Sequence, residues 1–511
     1  MQTPRFTVLV FLLTAAPLPA QEEIAEYAVE VDLGEDFGQS FGSLFEVQDA
    51  DGNVVAGAGF PDTYNTRFRT GRHMIQFHIR SAAAGKQFQL ERLPHPDLDC
   101  GVYLFDYEGS VYAWSSIRGN VVVRWDGNSR KWIPENPPGI RRLVSGDGVM
   151  RLGRGRLTFT ESQAWYGDQR ILSAPEAGRY YCFYYADGHL FFYHMVRTDT
   201  DSFTRILACP WTPGQAAVDP DRAVVLTAKY EQETPFAWGQ YAGQILTVSN
   251  QGGLYVFEDG EWRTVLESDD QVSYQVYSAL HWHDRLLLAQ YPTGNVFEYR
   301  GKQAVHVRNW PPVPSGVSTR ARECQTLGIY SGDLLAGVWP WAELWRYDRG
   351  DKEWIGMGRA FTHPELTAEQ THPYEAAANR LGLVTNHWGQ RITSMIPQGD
   401  ALFLSTSSKG TAGWKSEYRF LSDTQRREYG AVLRLRMPGN LAVQMHWKSE
   451  PVRLKFQVGK TRMSIYQDGE RLGSVALPAG FGNVVSGGQV VWGRGVYGPL
   501  RGTLVSRKAA Q

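Results

Sequence analysis

One template recurs along this chain: an apolar strand, a Gly/Asp turn, a second apolar strand, a Gly or small-residue turn, and a third strand rich in aromatics. The stretch GVYLFDYEGSVYAWSSIRGNVVVRWDGNSRKW, Gly101 to Trp132, is one full copy, and a weaker one spans Gly148 to Ser173. A third opens at Arg179 with RYYCFYYADGHLFFYHMVR and continues to Trp211. Further copies start at Gln240, Tyr277, Gln325 and Arg391, the sixth closing at Trp354. A single unit of this kind cannot bury its apolar face alone, so its neighbours must stack on it.

A period of about 40 to 55 residues is that of a four-stranded propeller blade. Seven copies predict seven blades, with six or eight as alternatives because the second copy is weak. Glu108-Gly109, Asp187-Gly188, Gly332-Asp333 and Gly399-Asp400 supply residues that tolerate the positive φ of a two-residue hairpin. Aromatics at 13%, 53 Gly and 17 Trp agree with many short strands joined by tight turns. The fold class is all-β. The later strands of the copies, as in YVFEDGEW and LWRYDRGDKEW, resemble the kelch family of propellers over roughly residues 100 to 430, although most copies lack the kelch double glycine. That resemblance implies fold rather than function.

The propeller is expected over residues 96–428. Before it, residues 21–95 alternate and turn like part of a sandwich; after it, residues 429–511 carry a hairpin at Asp468-Gly469 and a late Trp492-Gly493. The stretches KTRMSIYQDGERLGSVALPAGF and VVWGRGVYGPLRGTLVS are similar to the last strands of laminin-G or concanavalin-like jelly rolls. Neither end is long enough for a whole sandwich, so the two are expected to combine into one, with the propeller inserted; independent small β-domains are the alternative. HPYEAAANRLGLV, His372 to Val384, is the one convincing helical stretch.

The 52 basic and 53 acidic residues nearly cancel and form no cationic block, which argues against a nucleic-acid partner. Residues 1–20 read as a signal peptide: Arg5, an apolar run from Phe6 to Leu13, then small residues up to Ala20. No later apolar run reaches the roughly 18 residues of a membrane helix, so no membrane insertion of the mature chain is expected and the protein is read as secreted or periplasmic. Cys100, Cys182, Cys209 and Cys324 show no zinc spacing. Cys182 and Cys209 could pair across a predicted hairpin, buried thiols being the alternative.

In a propeller the start of each blade's first strand and the end of its second lie on one face, so residues at those positions gather around one opening. The ends of second strands give Ser116, Arg118, Glu161, His194, Arg197, Asn250, Tyr291, Trp339, Trp341, Ser407 and Lys409; the starts of first strands give Trp238, Tyr274, Arg320, Arg322 and the run Asn386 to Arg391, with His387 and Trp388. This rim is aromatic and cationic. Aromatic faces suit sugar rings and guanidinium groups pair with carboxylates, so an anionic, uronate-containing polysaccharide is the expected partner.

A glycosidase needs two facing carboxyl groups, and no such pair is evident on the rim. His281 and His283 share a strand face, yet a third metal ligand is missing and ordinary turn residues are the better reading. DADGN at Asp49 lacks the downstream Glu of a calcium loop, and GRGR at Gly153 lacks the residues of a phosphate loop. No metal site or cofactor is assigned. β-Elimination needs a cation on the uronate carboxylate, a base and an acid. Arg391 or Arg320 suits the first role, His387 or His194 the second and Tyr291 the third, with Arg322, Trp339, Trp341, Trp388, Arg197 and Lys409 as further substrate contacts. The plan is similar to propeller lyases that act on ulvan or oligogalacturonate, without a residue-by-residue match. A non-catalytic propeller binding a cell-surface glycan or a protein is the alternative.

Overall fold

The computed structural model describes residues 23–80, 87–115, 117, 121–137, 148–160, 162–410 and 413–509. Residues 1–20 and the rim candidates Ser116, Arg118 and Glu161 lie outside the described residues.

Among the described residues, seven antiparallel sheets follow one another in chain order: the first six each contain a four-stranded meander, the fifth extended by two further strands, and the seventh has three consecutive strands and a fourth from elsewhere. Their first strands are Val102–Tyr107, Val149–Leu152, Arg179–Ala186, Pro235–Tyr241, Gln275–Trp282, Glu323–Tyr330 and Gln390–Gln398. Each matches one copy of the sequence template. Burial falls from the inside outwards: in the sixth sheet Glu323–Tyr330 and Asp333–Trp339 are wholly buried, whereas in Glu353–Arg359 only Met357 is. Hydrogen bonds join inner strands of successive sheets. Ser278 Oγ donates to Gln325 O at 3.0 Å, Thr326 Oγ1 to Ile392 O at 2.5 Å, and Thr393 Oγ1 to Val102 O at 2.6 Å, the last linking the seventh sheet to the first. Sheets arranged side by side around their first strands make this an all-β protein of the propeller type.

The seventh sheet is completed from a distance. Its outer strand is Gln89–Arg92, paired with Val432–Arg436. Both lie outside the expected limits of 96–428, so strand pairing in the sheets extends from Gln89 to Arg436. The sixth hairpin also differs in register from expectation. Its left-handed residues are Ser331 and Gly332, at φ 53° and 76°, one place earlier than Gly332-Asp333. Asp333 thereby becomes the first residue of the next strand, where its buried carboxylate holds Arg346 at 3.1 Å.

The two chain ends pair with each other. Glu23–Asp32 lies between Val452–Gly459 and Thr503–Ala509; Ser43–Gln48 pairs with Gln489–Trp492, and Met74–Ile79 with Asn440–Gln444. The resulting two five-stranded sheets share one apolar core that includes Phe45, Phe77 and Phe456. This sandwich-like unit meets the hairpin turns at the lower ends of the inner strands: Gly188 N donates to Phe37 O, and Gly399 pairs with Ala442. Cys182 and Cys209 are not joined by a disulfide.

One element of the N-terminal segment leaves this unit altogether. The strands Thr63–Asn65 and Phe68–Arg69 form a hairpin that pairs with the inner edge of Gln275–Trp282, on the axis that the other first strands surround. Asn65 Nδ2 donates to Ser278 Oγ and Gln325 O, both at 2.7 Å. Arg69 reaches Phe183 O at 2.6 Å beneath the rings of Tyr64 and Tyr184. At the root, the buried Asp36 carboxylate accepts from Arg72 at 2.8 Å and from the Gly153 N–H at 2.7 Å, and lies 2.8 Å from His73 Nε2. Removing one partner of a buried ion pair leaves the other charge uncompensated. Asp36→Ala is therefore expected to cost about 3–5 kcal/mol, read as a lower urea midpoint; an unchanged midpoint would show that the hairpin is held without this clamp.

Candidate functional site

The strand ends expected to meet do so through parallel bridges: Gln251 with Tyr274, Thr293 with Arg322, and Trp341 with Gln390. They define the face away from the sandwich-like unit. In its centre lies Glu323, whose side chain is fully buried. Lys409 Nζ donates to Glu323 Oε1 at 2.7 Å, Gln325 Nε2 donates to Oε2 at 2.9 Å, and Arg391 Nη2 stands 3.8 Å from Oε2.

Local backbone explains how these residues converge. The first strands of the third to seventh sheets each carry a register shift at the same level, at Tyr181/Tyr184, Pro235/Trp238, Val276/Ser278, Cys324/Thr326 and Ile392/Ser394. Such an irregularity re-aims the side chains beside it. Glu323 precedes the shift in its strand, and Arg391 occupies the matching place in the next.

From below, the channel hairpin adds Arg67 at its tip. The guanidinium sits over the Tyr277 ring, 5.0 Å from the centroid, and is attracted by Glu323. Three cations, Arg67, Arg391 and Lys409, thus surround one carboxylate. Among the described residues, Arg67 Nη1 and Arg391 Nε are buried donors with no hydrogen-bond partner. The wall continues through half-buried Tyr291, with Trp339 buried behind it at 1% exposure, each ring lying 5.3 Å from Lys409 Nζ. His372 packs on Trp339 with ring centroids 4.9 Å apart, and its Nδ1 lies 2.9 Å from Glu375 Oε1 at the start of the short helix Glu375–Arg380.

These surroundings alter protonation. Burial, reinforced by the positive charge of Arg391, pushes the Lys409 amine down to about 8 despite Glu323. Burial also raises Tyr291, and it brings Tyr277 to about 12. For His372, burial lowers the imidazole against the opposing pull of Glu375.

Of the residues expected at the site, Tyr291, Trp339, Arg391 and Lys409 come together. The others do not. Arg322 is turned away into a buried ion pair with Glu343 at 2.7 Å. Trp341 is buried under Arg359, and Trp388 is 1% exposed inside an aromatic cluster with Tyr418 and Tyr429. His387 is buried against Trp388 and Tyr418. On the third sheet, His194 lies between Tyr180 and Phe203 with Nε2 2.9 Å from Ala177 O, and Arg197 donates to Glu231 O. Arg320 is exposed on the preceding loop. His281 Nε2 is 2.5 Å from Gln240 O, and among the described residues no group of His, Cys, Asp and Glu has a metal-binding arrangement. Asp49 accepts from Asp51 N and Asn53 N within its own turn.

Glu323, Arg67, Tyr277 and His372 were not anticipated. With Arg322 read as facing the site, strand alternation would have turned Glu323 away from it; the structure has the reverse, Arg322 on Glu343 and Glu323 at the mouth.

No protein-family model and no curated protein matches the chain. Solved structures similar to it include the extracellular domain of the hybrid two-component system BT4673 from B. thetaiotaomicron, at 11% identity over 77% of this chain and 48% of that one, with a TM-score of 0.41. The WD40 propeller domain of Doa1 is similar at 10% identity over 68% and 97% of the two chains, with a TM-score of 0.35. BamB from Moraxella catarrhalis is similar at 9% identity over 76% and 93%, with a TM-score of 0.31. The architecture given above rests on the strand pairing of the chain itself.

Lys409 provides a direct check on this geometry. Trace acylation of the folded protein should titrate Lys409 near pH 8, against about 10.4 for exposed lysines. Glu323→Gln should move that midpoint down and Arg391→Gln should move it up; a Lys409 that titrates with the exposed lysines contradicts the site. Because the unfolded chain keeps this proton to higher pH, the Lys409 contribution makes stability rise with pH between the two values.

Proposed function

We propose that the seven sheets are the blades of one propeller, that the two five-stranded sheets form a sandwich beneath it, and that the channel mouth binds a carboxylated polysaccharide. The observation that carries this reading is the excess of cations at the mouth: Arg67, Arg391 and Lys409 face a single buried carboxylate, beside a half-buried tyrosine. A uronate carboxylate placed there would pair with the guanidinium groups of Arg67 and Arg391.

The chemistry that fits is β-elimination. Arg67 and Arg391 neutralise the uronate carboxylate and so acidify the carbon-bound proton next to it. Lys409, its amine eased toward neutrality, accepts that proton in place of His387 or His194. The electron pair forms a carbon–carbon double bond, the bond to the glycosidic oxygen breaks, and Tyr291 returns a proton to the leaving oxygen. A second reading, retention of the glycan without cleavage, is supported by the 2.7 Å contact between Lys409 and Glu323, which the amine must leave before it acts as a base. Export, read from the pattern of residues 1–20, belongs to the same proposal and would bring the site to extracellular or periplasmic glycans.

Near-ultraviolet absorbance of unsaturated products, followed over a panel of uronate polymers, separates the two. A lyase gives such products, with kcat/KM rising through pH 8 as Lys409 loses its proton. Tyr291→Phe and Lys409→Met should each lower the rate by about 100-fold or more. A binding module gives no product, and its affinity falls over the same pH range. If no uronate polymer is either cleaved or retained, the assignment of this face is wrong.

A further inference from the structure

Between the lower turns of the first and seventh sheets and the sandwich-like unit lies a second concavity, a cleft of about 830 Å³. One wall carries the turns at Gly109 and Gly399, and the other the strands Asn440–Gln444 and Glu470–Ala476. The nine-residue strand Gln390–Gln398 runs from the channel mouth to this level, so the two concavities are separated by roughly 25–30 Å along it.

The inner end of the cleft is polar and incompletely satisfied. Both amide atoms of Gln444 are sealed from solvent and have no hydrogen-bond partner among the described residues. Beside it stands Asp106, which burial pushes up to about 6, and Arg151 lies close enough to oppose that shift. The two acceptors face the same small space at Gly71: a methyl group there would meet Asp106 Oδ2 at 2.7 Å and Gln444 Oε1 at 3.1 Å. A carboxamide with neither end bonded is an expensive thing to bury, so buried polar groups ordinarily have partners.

The walls favour an uncharged occupant. Arg434 and Arg436 are already paired, with Glu91 at 2.5 Å and Asp400 at 3.1 Å, and Glu470 and Arg471 follow each other at the rim. This near balance contrasts with the cationic channel mouth. Apolar surface comes from Trp125, Phe403 and Leu472. The volume falls within the range of ordinary ligand sites, roughly 300–1,000 Å³. With the Gln444 amide turned toward the cleft, vicinal hydroxyls, each both donor and acceptor, would satisfy its two ends together, and a protonated or ionised Asp106 as well.

We propose that this cleft is a second ligand site that takes a neutral oligosaccharide, with Gln444 as its central polar contact. The site stands on residues other than those of the channel mouth, and its truth does not depend on lyase chemistry there.

Gln444→Leu distinguishes a group kept for a ligand from one kept for the fold. An amide without protein partners loses nothing when replaced by an apolar side chain of similar size, so Tm should stay level or rise. Calorimetric titration with gluco-, manno-, galacto- and xylohexaose should show at least one binding to the wild-type protein, weakened 10-fold or more by Gln444→Leu and unchanged by Lys409→Met. Any of three results overturns the proposal: no neutral hexasaccharide binds, Gln444→Leu leaves the affinity intact, or Gln444→Leu lowers Tm. Should hexagalacturonate alone bind and Lys409→Met abolish it, the channel mouth stands and the cleft proposal falls.

Discussion

A ring of sheets built around its first strands leaves an axis that no sheet of the ring can fill, and this chain fills it with residues Thr63–Arg69. Much else follows from that insertion. The hairpin is long enough to reach from the sandwich-like unit to the far face, so Arg67 becomes part of the channel mouth. Its backbone groups pair with Gln275–Trp282, and its side chains satisfy carbonyls of other inner strands: Asn65 that of Gln325, Arg69 that of Phe183. A buried guanidinium requires such partners. The clamp of Asp36, Arg72 and His73 then fixes the depth of insertion at the lower end.

The closure of the ring makes the same point differently. The seventh sheet takes its outer strand from Gln89–Arg92, immediately after the sandwich-forming segment, while the strands that follow Arg436 return to that unit. Sheet ring and sandwich-like unit therefore share both their covalent connections and their contact surface. The Arg349–Glu46 and Arg80–Asp348 ion pairs span them. Neither part is a detachable module.

How much of this was legible in the sequence differs by element. The seven sheets could be read because Gly/Asp turns and alternating aromatics are local signals; Tyr330-Ser-Gly-Asp333 was placed one residue off because either pair of central residues tolerates a left-handed turn. That the chain ends combine followed from their lengths. The channel hairpin could not be read. Residues Asp62 to Arg72 look like any polar turn with short flanks, and the inner-strand partners of Asn65 and Arg69 lie more than 100 positions away. The site shows the same division. Tyr291, Trp339, Arg391 and Lys409 follow from their place in the repeat, whereas His387, Trp388 and Arg322 occupy equally good places but turn into their own sheets, Arg322 onto Glu343 and the other two onto Tyr418. Which side chain faces the axis depends on the register shift in each first strand, and such a shift leaves no mark in residue type.

The order of synthesis gives the composite site a further property. Arg67 leaves the ribosome early, Glu323 and Arg391 much later and Lys409 later still, and the strand Val432–Arg436 that pairs with Gln89–Arg92 follows all of them. The four charges can reach one another only after the N-terminal hairpin has met strands made more than 250 residues later. A chain cut short before Lys409 therefore lacks part of the charge cluster, and the complete cluster requires both the N-terminal hairpin and the seventh sheet.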